Sequence, residues 1–298
     1  MARILGIGIA TLDIILLVDG YPQEDAEVRA VGQRICRGGN ATNTLVVLSQ
    51  LGHACAWGGV IVDEPDGARI LDDLKRHGVD TRYCPVERAG KVPTSYVALN
   101  RRNGSRTIIH YRDLREFGFE DFRKIDPALF DWIHFEGRNV AETERMLAHL
   151  AASHSHIPRS VEIEKPRPGI ERLFQGADVL LFSKTYAAAR GFADPVPFLR
   201  AMRDEAPAAE LICAWGAQGA HALTRDGRGL YCPAFPPPQV VDTLGAGDTF
   251  NAGIIDALVR GRDMAAALQN ASRLAGRKCG RLGLDGLGEG VEDSHPRP

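Results

Sequence analysis

The chain has 298 residues, of which 44% are hydrophobic and 25% charged, a composition typical of an ordinary globular protein and not of a disordered one. Because 36 basic residues face 38 acidic ones, the net charge is −2, and the broad cationic surface that nucleic acid or anionic lipid would need is not expected. Six scattered cysteines without a Cys-x-x-Cys pair argue against a zinc or disulfide framework.

The N-terminal segment and the composition together predict a cytoplasmic protein. Residues 1–18 are apolar, but Asp13 interrupts them and no small-residue cleavage site follows, which argues against a signal peptide. No uncharged apolar run approaches the roughly 20 residues that span a bilayer. We therefore expect neither a membrane segment nor a nucleic acid partner.

The front of the chain predicts two strands. Residues 4–10 are a short apolar run that leads to Asp13, as expected of a buried strand whose carboxyl end delivers a carboxylate to a ligand. Residues 27–36 mix β-branched and charged side chains, which is typical of a half-exposed strand.

Two helices are predicted next. Apolar residues at every third or fourth position predict a helix over 41–51, with Asn40 as its N-cap and the pair Gly38-Gly39 just before it. The same spacing predicts a second helix over 66–77.

A hairpin and a series of alternating elements follow. Two β-rich runs at 94–99 and 106–111 around Asn103-Gly104 predict an antiparallel hairpin. From residue 132 onward, short apolar runs alternate with helical stretches, which is the rhythm of a parallel sheet. The apolar runs lie at 132–135, 160–163, 179–182 and 211–215, and the helical stretches include 141–150, 197–203 and 264–277.

These elements predict an α/β fold with a doubly wound, mostly parallel sheet, helices on both of its faces and a small additional β-sheet. The main domain takes residues 1–15, 38–92 and 113–286. The excursions 16–37 and 93–112 break the alternation and are expected to form one small sheet that acts as a lid. Residues 287–298 have too little apolar content to pack and are expected to form a loose tail.

The most informative segment is Gly245-Ala246-Gly247-Asp248, which stands before a helical pattern. Its glycines let successive backbone N–H groups converge on an anion, and the helix behind them adds its positive end. Asp248 at the helix start can accept the proton of a hydroxyl that attacks a phosphate. Alone, the segment is better interpreted as a plain strand-to-helix turn capped by Asp248; the surrounding segments favour the anion site.

Two further segments are candidates for ligand binding. In Gly38-Gly39-Asn40-Ala41-Thr42-Asn43, two amides stand on a first helical turn, where they can bind sugar hydroxyls together with Asp13. Helix capping by Asn40 with a solvated Asn43 is the competing interpretation. The loop Gly216-Ala217-Gln218-Gly219 could border a nucleotide or be a plain turn.

Together these segments resemble the ribokinase-like (PfkB) family of carbohydrate kinases over nearly the whole chain. Three further stretches resemble the branch of that family that phosphorylates ketoses: Phe135-Glu136-Gly137-Arg138-Asn139, Val161-Glu162-Ile163-Glu164-Lys165-Pro166 and Phe235-Pro236-Pro237-Pro238. The resemblance implies ATP-dependent phosphorylation of the 1-hydroxyl of a ketose such as fructose, with Mg²⁺ on the nucleotide.

The resemblance also implies roles for individual residues. Asp248 is expected to be the general base, and the amides of Gly245, Ala246 and Gly247 are expected to face the charge on the transferred phosphoryl group. The expected sugar-binding residues are Asp13, Gly39, Asn40, Asn43 and Asp248. The expected nucleotide-binding residues are Arg106, Gly216, Ala217, Gln218, Gly219, Gly245, Ala246 and Gly247.

The same resemblance implies two metal ions, potassium and Mg²⁺. Many relatives hold a potassium ion where this chain has Asp242, the carbonyl of Leu244 and the loop 280–283. Many also carry Asn-x-x-Glu after a late strand to order the water molecules of Mg²⁺, whereas Ser183-Lys184-Thr185-Tyr186-Ala187 stands there in this chain. The remaining candidates for that role are Glu136, Glu164 and Lys165, and the letters of the motif also fit 139–142.

Partners and alternative activities complete the sequence-based hypotheses. With Val28, Val31 and Ile35 on one strand, the edge of the lid would expose apolar surface, which predicts a homodimer formed through the lid sheets. A family kinase acting on another sugar, nucleoside or sugar acid, and a silent nucleotide- or sugar-binding sensor, remain alternatives. Against a sugar acid, the expected pocket offers Asp13 and neutral amides in place of a cationic cluster.

Overall fold

The computed structural model describes residues 1–289, which form fourteen strands and eight α-helices. The strands are β1 (Arg3–Ile7), β2 (Thr11–Val18), β3 (Gly32–Gly38), β4 (Ala54–Gly58), β5 (Ile61–Val62), β6 (Val86–Glu87), β7 (Lys91–Asn100), β8 (Arg106–Asp113), β9 (Trp132–Glu136), β10 (Arg159–Ile163), β11 (Val179–Ser183), β12 (Glu210–Ala214), β13 (Ala220–Leu223) and β14 (Gly229–Cys232). The helices are α1 (Asn40–Gln50), α2 (Pro65–Arg76), α3 (Phe119–Phe122), α4 (Val140–Ser153), α5 (Lys184–Ala189), α6 (Pro195–Glu205), α7 (Ala246–Val259) and α8 (Met264–Cys279).

The main sheet has eight strands in the order β14-β13-β12-β11-β10-β9-β1-β4. The six strands from β12 to β4 are parallel, while β13 and β14 add an antiparallel edge. Every residue of β9 and β10 is buried, as expected of strands covered on both faces. The prediction of a doubly wound, mostly parallel α/β sheet is therefore confirmed.

Helices cover the main sheet on both faces and enclose two hydrophobic cores. On one face, Leu45 of α1 and Ile254 of α7 are fully buried in a core that also includes α8. On the other, Met146 of α4 and Phe198 of α6 are fully buried. Within residues 1–289, no helix is both long and apolar enough to cross a membrane.

A second sheet of four strands, in the order β3-β2-β7-β8, is assembled from two separated parts of the chain. β2 and β7 are parallel, and the two outer pairs are antiparallel, including the predicted β7–β8 hairpin. The sheet begins at Thr11 and not at 16, and β1 ends at Ile7, so the predicted strand over 4–10 is shorter than expected. Val28 and Val31 precede β3, so that only Ile35 of the three predicted edge residues lies on that strand.

Two local predictions are wrong for reasons of packing. The N-cap of α1 is Gly39, with φ of 103°, and Asn40 is already helical. A Cβ on Gly39 would lie 2.3 Å from the Ile9 carbonyl oxygen, so only glycine fits this close approach. The predicted loose tail is packed at its start, since Leu287 is fully buried and its N–H donates to Gln50 at 3.0 Å. Residues 290–298 of that tail lie outside the described part of the chain.

Candidate active site

A large cavity of about 1600 Å³ lies at the carboxyl ends of the parallel strands, between the main sheet and the four-stranded sheet. Ligands bind at this edge in open α/β sheets. Most of the sequence-predicted site residues line it: Asp13, Gly39, Asn40, Asn43, Arg106, Gly216, Ala217, Gly219, Asp242, Leu244, Gly245, Ala246, Gly247 and Asp248. Gln218 lies in the same turn but does not line the cavity.

The turn before α7 has the geometry of an anion-binding helix start. Gly245 is the N-cap in the left-handed region, with φ of 78°, a conformation that favours glycine. A Cβ on Gly247 would meet no atom within 4 Å, so a ligand can approach the backbone there. The Ala246 N–H also makes a long bond of 3.3 Å to the Thr243 carbonyl. The first-turn amides and the helix dipole together favour an anion at this position.

The Asp248 carboxylate connects this turn to the front of the chain. It is buried, and its Oδ2 accepts a hydrogen bond of 2.7 Å from Asn43 Nδ2 on α1. Burial, together with the charges of Glu164 and Glu136, raises the pKa of Asp248 to about 7 against the opposing effects of the Asn43 hydrogen bond and the Arg37 charge. A carboxylate with this pKa can accept and release a proton near neutrality.

Arg37, which the sequence analysis did not single out, fixes the orientation of Asn43. Its Nη1 donates to Asn43 Oδ1 at 2.7 Å and to Thr42 Oγ1 at 3.0 Å. Its Nε donates to Asp73 at 2.6 Å, and its side chain is only 3% exposed. Because Oδ1 of Asn43 is held by the guanidinium, the amide nitrogen must face Asp248.

Three carboxylates at the ends of β9 and β10 lie in the same cavity. Glu136 accepts the Ile9 N–H at 3.0 Å, and Glu164 accepts from Asn40 Nδ2 at 3.2 Å. Burial raises the pKa of Glu136. The sequence analysis had selected these two glutamates but not Glu162, which lies between them in space.

Glu162 is the least satisfied polar group of the site. Its Oε1 accepts from Asn251 Nδ2 at 3.1 Å, whereas Oε2 is buried without a hydrogen-bond partner among the described residues. Burial and the neighbouring Asp248 raise the pKa of Glu162 well above its usual value. The alternation in Val161-Glu162-Ile163-Glu164 was the available signal, because it places both glutamates on one face.

A row of polar residues crosses the four-stranded sheet and faces the cavity. Cys36, Asp13, Ser95 and His110 are neighbours in the strand register, and all four line the cavity. Asp13 therefore reaches the site from β2 and not from the end of β1. Its carboxylate accepts from Thr11 Oγ1 at 2.9 Å. The sequence analysis missed Ser95 and His110, because they come into line with Asp13 only through strand pairing.

The residues expected to bind potassium do not fit a free ion. Lys278 is fully buried, and its Nζ lies 2.7 Å from the Asp242 carbonyl oxygen and 3.3 Å from Asp242 Oδ2. The backbone N–H of Leu244 takes the other carboxylate oxygen at 2.9 Å. The oxygen atoms of Asp242 that would bind a cation are thus already bonded to an ammonium group.

The alternative Asn-x-x-Glu at 139–142 is excluded as a site motif. Asn139 donates to the Phe117 carbonyl at 3.1 Å, and Glu142 accepts the Phe119 N–H at 2.7 Å. Neither side chain lines the cavity. Both instead hold the loop that leads into α3.

Cationic side chains line the cavity, contrary to the expectation of neutral amides alone. Arg138 contacts Glu116 at 2.9 Å, and Lys165 contacts Glu164 at 3.5 Å. The Arg167 side chain is half-buried and makes no side-chain hydrogen bond or salt bridge with another residue of 1–289, although the Arg167 carbonyl accepts the Ile170 N–H at 3.1 Å. The sequence analysis did not recognise this cluster, because its members follow two different strands.

Comparison with known proteins gives a consistent result over the whole chain. The model of the pfkB family of carbohydrate kinases matches residues 1–286. Ketohexokinase of Mus musculus is 43% identical over 96% of this chain and 98% of its own length. Ribokinase of Bacillus subtilis is 27% identical over 96% of this chain and 96% of its own.

Solved structures share the fold. A putative ribokinase from Agrobacterium tumefaciens has a TM-score of 0.84 at 23% identity, covering 95% of this chain and 92% of that one. Ribokinase from Cryptococcus neoformans, solved in complex with ADP, has a TM-score of 0.77 at 17% identity, covering 95% of each chain.

Proposed function

The chain belongs to the pfkB family of carbohydrate kinases, and we propose that it transfers the γ-phosphate of ATP to the 1-hydroxyl of a ketose such as fructose. The identity of 43% to mouse ketohexokinase supports a ketose as the acceptor. The observation that carries the proposal is the 2.7 Å hydrogen bond between Asn43 and Asp248. It joins the expected sugar-binding helix and the expected phosphate-binding turn in one cavity.

The acceptor sugar is held by groups from α1 and from the four-stranded sheet. Asp13 accepts hydrogen bonds from sugar hydroxyls, while Asn40 and Asn43 offer both donors and acceptors. Gly39 lets the start of α1 approach the Ile9 backbone closely, which brings Asn40 and Asn43 to the sugar. Ser95 continues the polar row beyond Asp13. In this arrangement the 1-hydroxyl points toward Asp248.

Asp248 acts as the general base of the transfer. Its carboxylate takes the proton of the 1-hydroxyl as that oxygen attacks the γ-phosphorus, and the bond between the γ-phosphorus and the ADP oxygen breaks. The pKa of Asp248 is raised to about 7, so its carboxyl can change protonation state near neutral pH. The Asp248 carboxylate is therefore a suitable acceptor for the proton of the 1-hydroxyl.

The transferred phosphoryl group is stabilised by the turn before α7. The amides of Gly245, Ala246 and Gly247 face its developing charge, together with the positive end of the helix. The nucleotide lies along 216–219, with Arg106 of β8 near its phosphates. The four-stranded sheet closes over the cavity as a lid and keeps water away from the γ-phosphate.

The carboxylates of β10 fit a hydrated magnesium ion on the nucleotide. Residues 1–289 hold no group of three His, Cys, Asp or Glu side chains arranged to bind a metal directly. The unpartnered Oε2 of Glu162 and the partly exposed Glu164 can instead accept hydrogen bonds from metal-bound water. When bound, Mg²⁺ neutralises charge on the triphosphate.

A homodimer formed through the four-stranded sheet is the second part of the proposal. Ile14, Tyr96 and Ile109 lie in one row across three of its strands, on the face opposite to the polar row of Asp13, while Ile35, the neighbour of Ile14 on β3, lies at the cavity. Tyr96 is 46% exposed and Ile109 is 61% exposed. An apolar row of this kind favours pairing with a second copy.

The six cysteines are free, which fits the reducing cytoplasm.

The proposed activity is tested by measuring ADP release from ATP with purified protein and a panel of ketoses and aldoses. We expect release that depends on a ketose, with phosphorus NMR placing the new phosphate on the 1-oxygen. Release with aldoses alone would contradict the choice of acceptor. Absence of release with every sugar would instead favour the sensor interpretation.

Arg167 favours a sugar acid or sugar phosphate as a second candidate acceptor, because this half-buried guanidinium lines the cavity and could bind a carboxylate or phosphate. The same panel therefore includes both classes. If an anionic sugar is the better acceptor, Arg167→Gln should raise its KM and leave the KM of fructose unchanged. Equal effects on both sugars would count against the second candidate.

A further inference from the structure

Lys278 holds a fully buried ammonium group beneath the phosphate-binding turn. It stands in the last turn of α8, with no exposed surface. Its Nζ lies 2.7 Å from the Asp242 carbonyl, 3.3 Å from Asp242 Oδ2 and 3.4 Å from the Arg281 carbonyl. Carbonyl and carboxylate oxygens around a compact positive charge are the surroundings of a bound monovalent cation.

The same group of contacts connects two backbone segments. The N–H of Gly283 donates to Asp242 Oδ2 at 3.1 Å, and Arg34 Nη2 lies 3.3 Å from the same oxygen. Asp242 stands three positions before Gly245. A Cβ on Gly245 would lie 3.2 Å from the Leu284 side chain, so the loop after α8 packs directly on the turn.

We propose that the Lys278 ammonium is a built-in cation that takes the place of a monovalent metal ion and fixes the amides of 245–247. Lys278 is a positioning residue, since it reaches the transferred phosphate only through Asp242 and the backbone. This inference rests on the proposed function of the turn as an anion hole. It replaces the expectation of a potassium ion at Asp242 and Leu244.

The first test removes the ammonium and offers a substitute. Lys278→Gly should lower kcat by about 100-fold, the loss expected when anion-hole donors are misplaced. Added potassium, ammonium or methylammonium should restore kcat in a saturable manner, while the unaltered chain shows no comparable gain. Lys75→Gly is the matched control, because Lys75 is an exposed lysine in the last turn of α2. No rescue by any of the three cations would overturn the proposal.

A second variant keeps the test decisive if Lys278→Gly does not fold. Lys278→Met keeps the length of the side chain and removes its charge. We expect a folded protein, judged by circular dichroism, with low kcat and no response to added cations. A methionine variant with normal kcat would refute the role of the charge.

The role can also be examined without catalysis. Crystals of Lys278→Gly soaked in a thallium salt should show anomalous density between Asp242 and the Arg281 carbonyl, and crystals of the unaltered chain should not. Absence of density in the variant would contradict the proposal even if the enzyme is active. Density in an enzyme that phosphorylates no ketose would support the cation site and reject only the proposed acceptor.

Discussion

Arg37 donates its Nη1 to the Oδ1 of Asn43 at 2.7 Å, and this bond decides which end of the Asn43 amide faces Asp248. The carboxylate therefore meets a donor and not a second oxygen. The arrangement depends on Asp73 of α2, which holds the guanidinium from behind. A chain of three residues, Asp73, Arg37 and Asn43, thus fixes the orientation of the candidate base.

Replacement of Arg37 should disturb turnover as well as stability. In Arg37→Met the Asn43 amide is free to rotate, so we expect kcat to fall by about tenfold to 100-fold. The lost bonds to a buried, charged group should lower the free energy of unfolding by about 2 kcal/mol. Urea denaturation and steady-state kinetics measure the two effects. Arg76→Met is the control, since Arg76 contacts the same Asp73 but is 71% exposed; similar kinetics in both variants would reject this role for Arg37.

Asp248→Asn should abolish the base while preserving the cavity. We expect kcat to fall by about 10³-fold, the usual contribution of a general base, with little change in ADP affinity measured by calorimetry. Asp263→Asn is a suitable control, because Asp263 is the N-cap of α8 and asparagine caps equally well. Turnover within tenfold of the unaltered chain would mean that Asp248 is not the base.

The pH dependence of kcat should report the ionisation of Asp248. Since the ionised carboxylate accepts the proton and its pKa is raised to about 7, kcat should fall as the pH decreases through that value. Glu164→Gln removes a negative charge that raises the pKa of Asp248, so the acid limb should move to lower pH. Asn43→Ala removes a hydrogen bond to the charged form and should move the limb to higher pH.

Profiles between pH 5 and 9 in the three proteins distinguish these directions. The charges of Glu136, Glu162 and Arg37 also face Asp248. Circular dichroism should therefore show that each variant keeps the fold that holds these charges in place. A limb that stays in place in both variants would assign the titration to another group.

Gly39 and Gly52 form a matched pair for testing the close approach at the start of α1. Both have positive φ, but a Cβ on Gly52 would meet nothing within 4 Å, whereas one on Gly39 would lie 2.3 Å from Ile9 O. Gly52→Ala should cost about 1 kcal/mol of stability from backbone strain alone. Gly39→Ala should cost at least about 3 kcal/mol and impair sugar binding, because the clash adds to the strain. If chemical denaturation gave equal losses of stability for the two variants, the contact between the new Cβ at 39 and the Ile9 carbonyl would have been relieved by a shift of the backbone.

The proposed dimer depends on the apolar row of the four-stranded sheet. Ile109→Arg places a charge on the edge strand β8 of that face and should convert a dimer into a monomer in sedimentation velocity measurements. Val86→Arg, at a residue that is 58% exposed on a different strand pair, should leave the mass unchanged. A monomeric unaltered chain would exclude this interface.

Four central strands of the main sheet were predictable because each follows from a local pattern, whereas β4 and the antiparallel strands β13 and β14 were not predicted. The runs at 132–135, 160–163, 179–182 and 211–215 match strands within one or two residues. The turn at Gly245 was also recognisable, since glycine spacing before a helix is a local signal.

Features that depend on distant contacts were not predictable. Asn40 has a good N-cap side chain, but the closeness of Ile9 requires glycine at the cap. Leu287 stands in a polar segment, yet it packs near Gln50, more than 200 positions away. Arg37 and Lys278 were missed because Asp73 and Asp242, which hold them, each lie 36 positions away along the chain. Glu162 was missed although the alternation in 161–164 was an available signal.

The four-stranded sheet both covers the cavity and carries Asp13. β2 starts four residues after β1 ends, so any swing of this sheet moves the Asp13 carboxylate, whereas Asp248 stays with α7 on the main body. Under the proposed function, a sugar that binds both carboxylates should therefore draw the four-stranded sheet toward the main body. Acceptor affinity and the closed state are then thermodynamically linked. Nucleotide bound without acceptor should leave the cavity partly open.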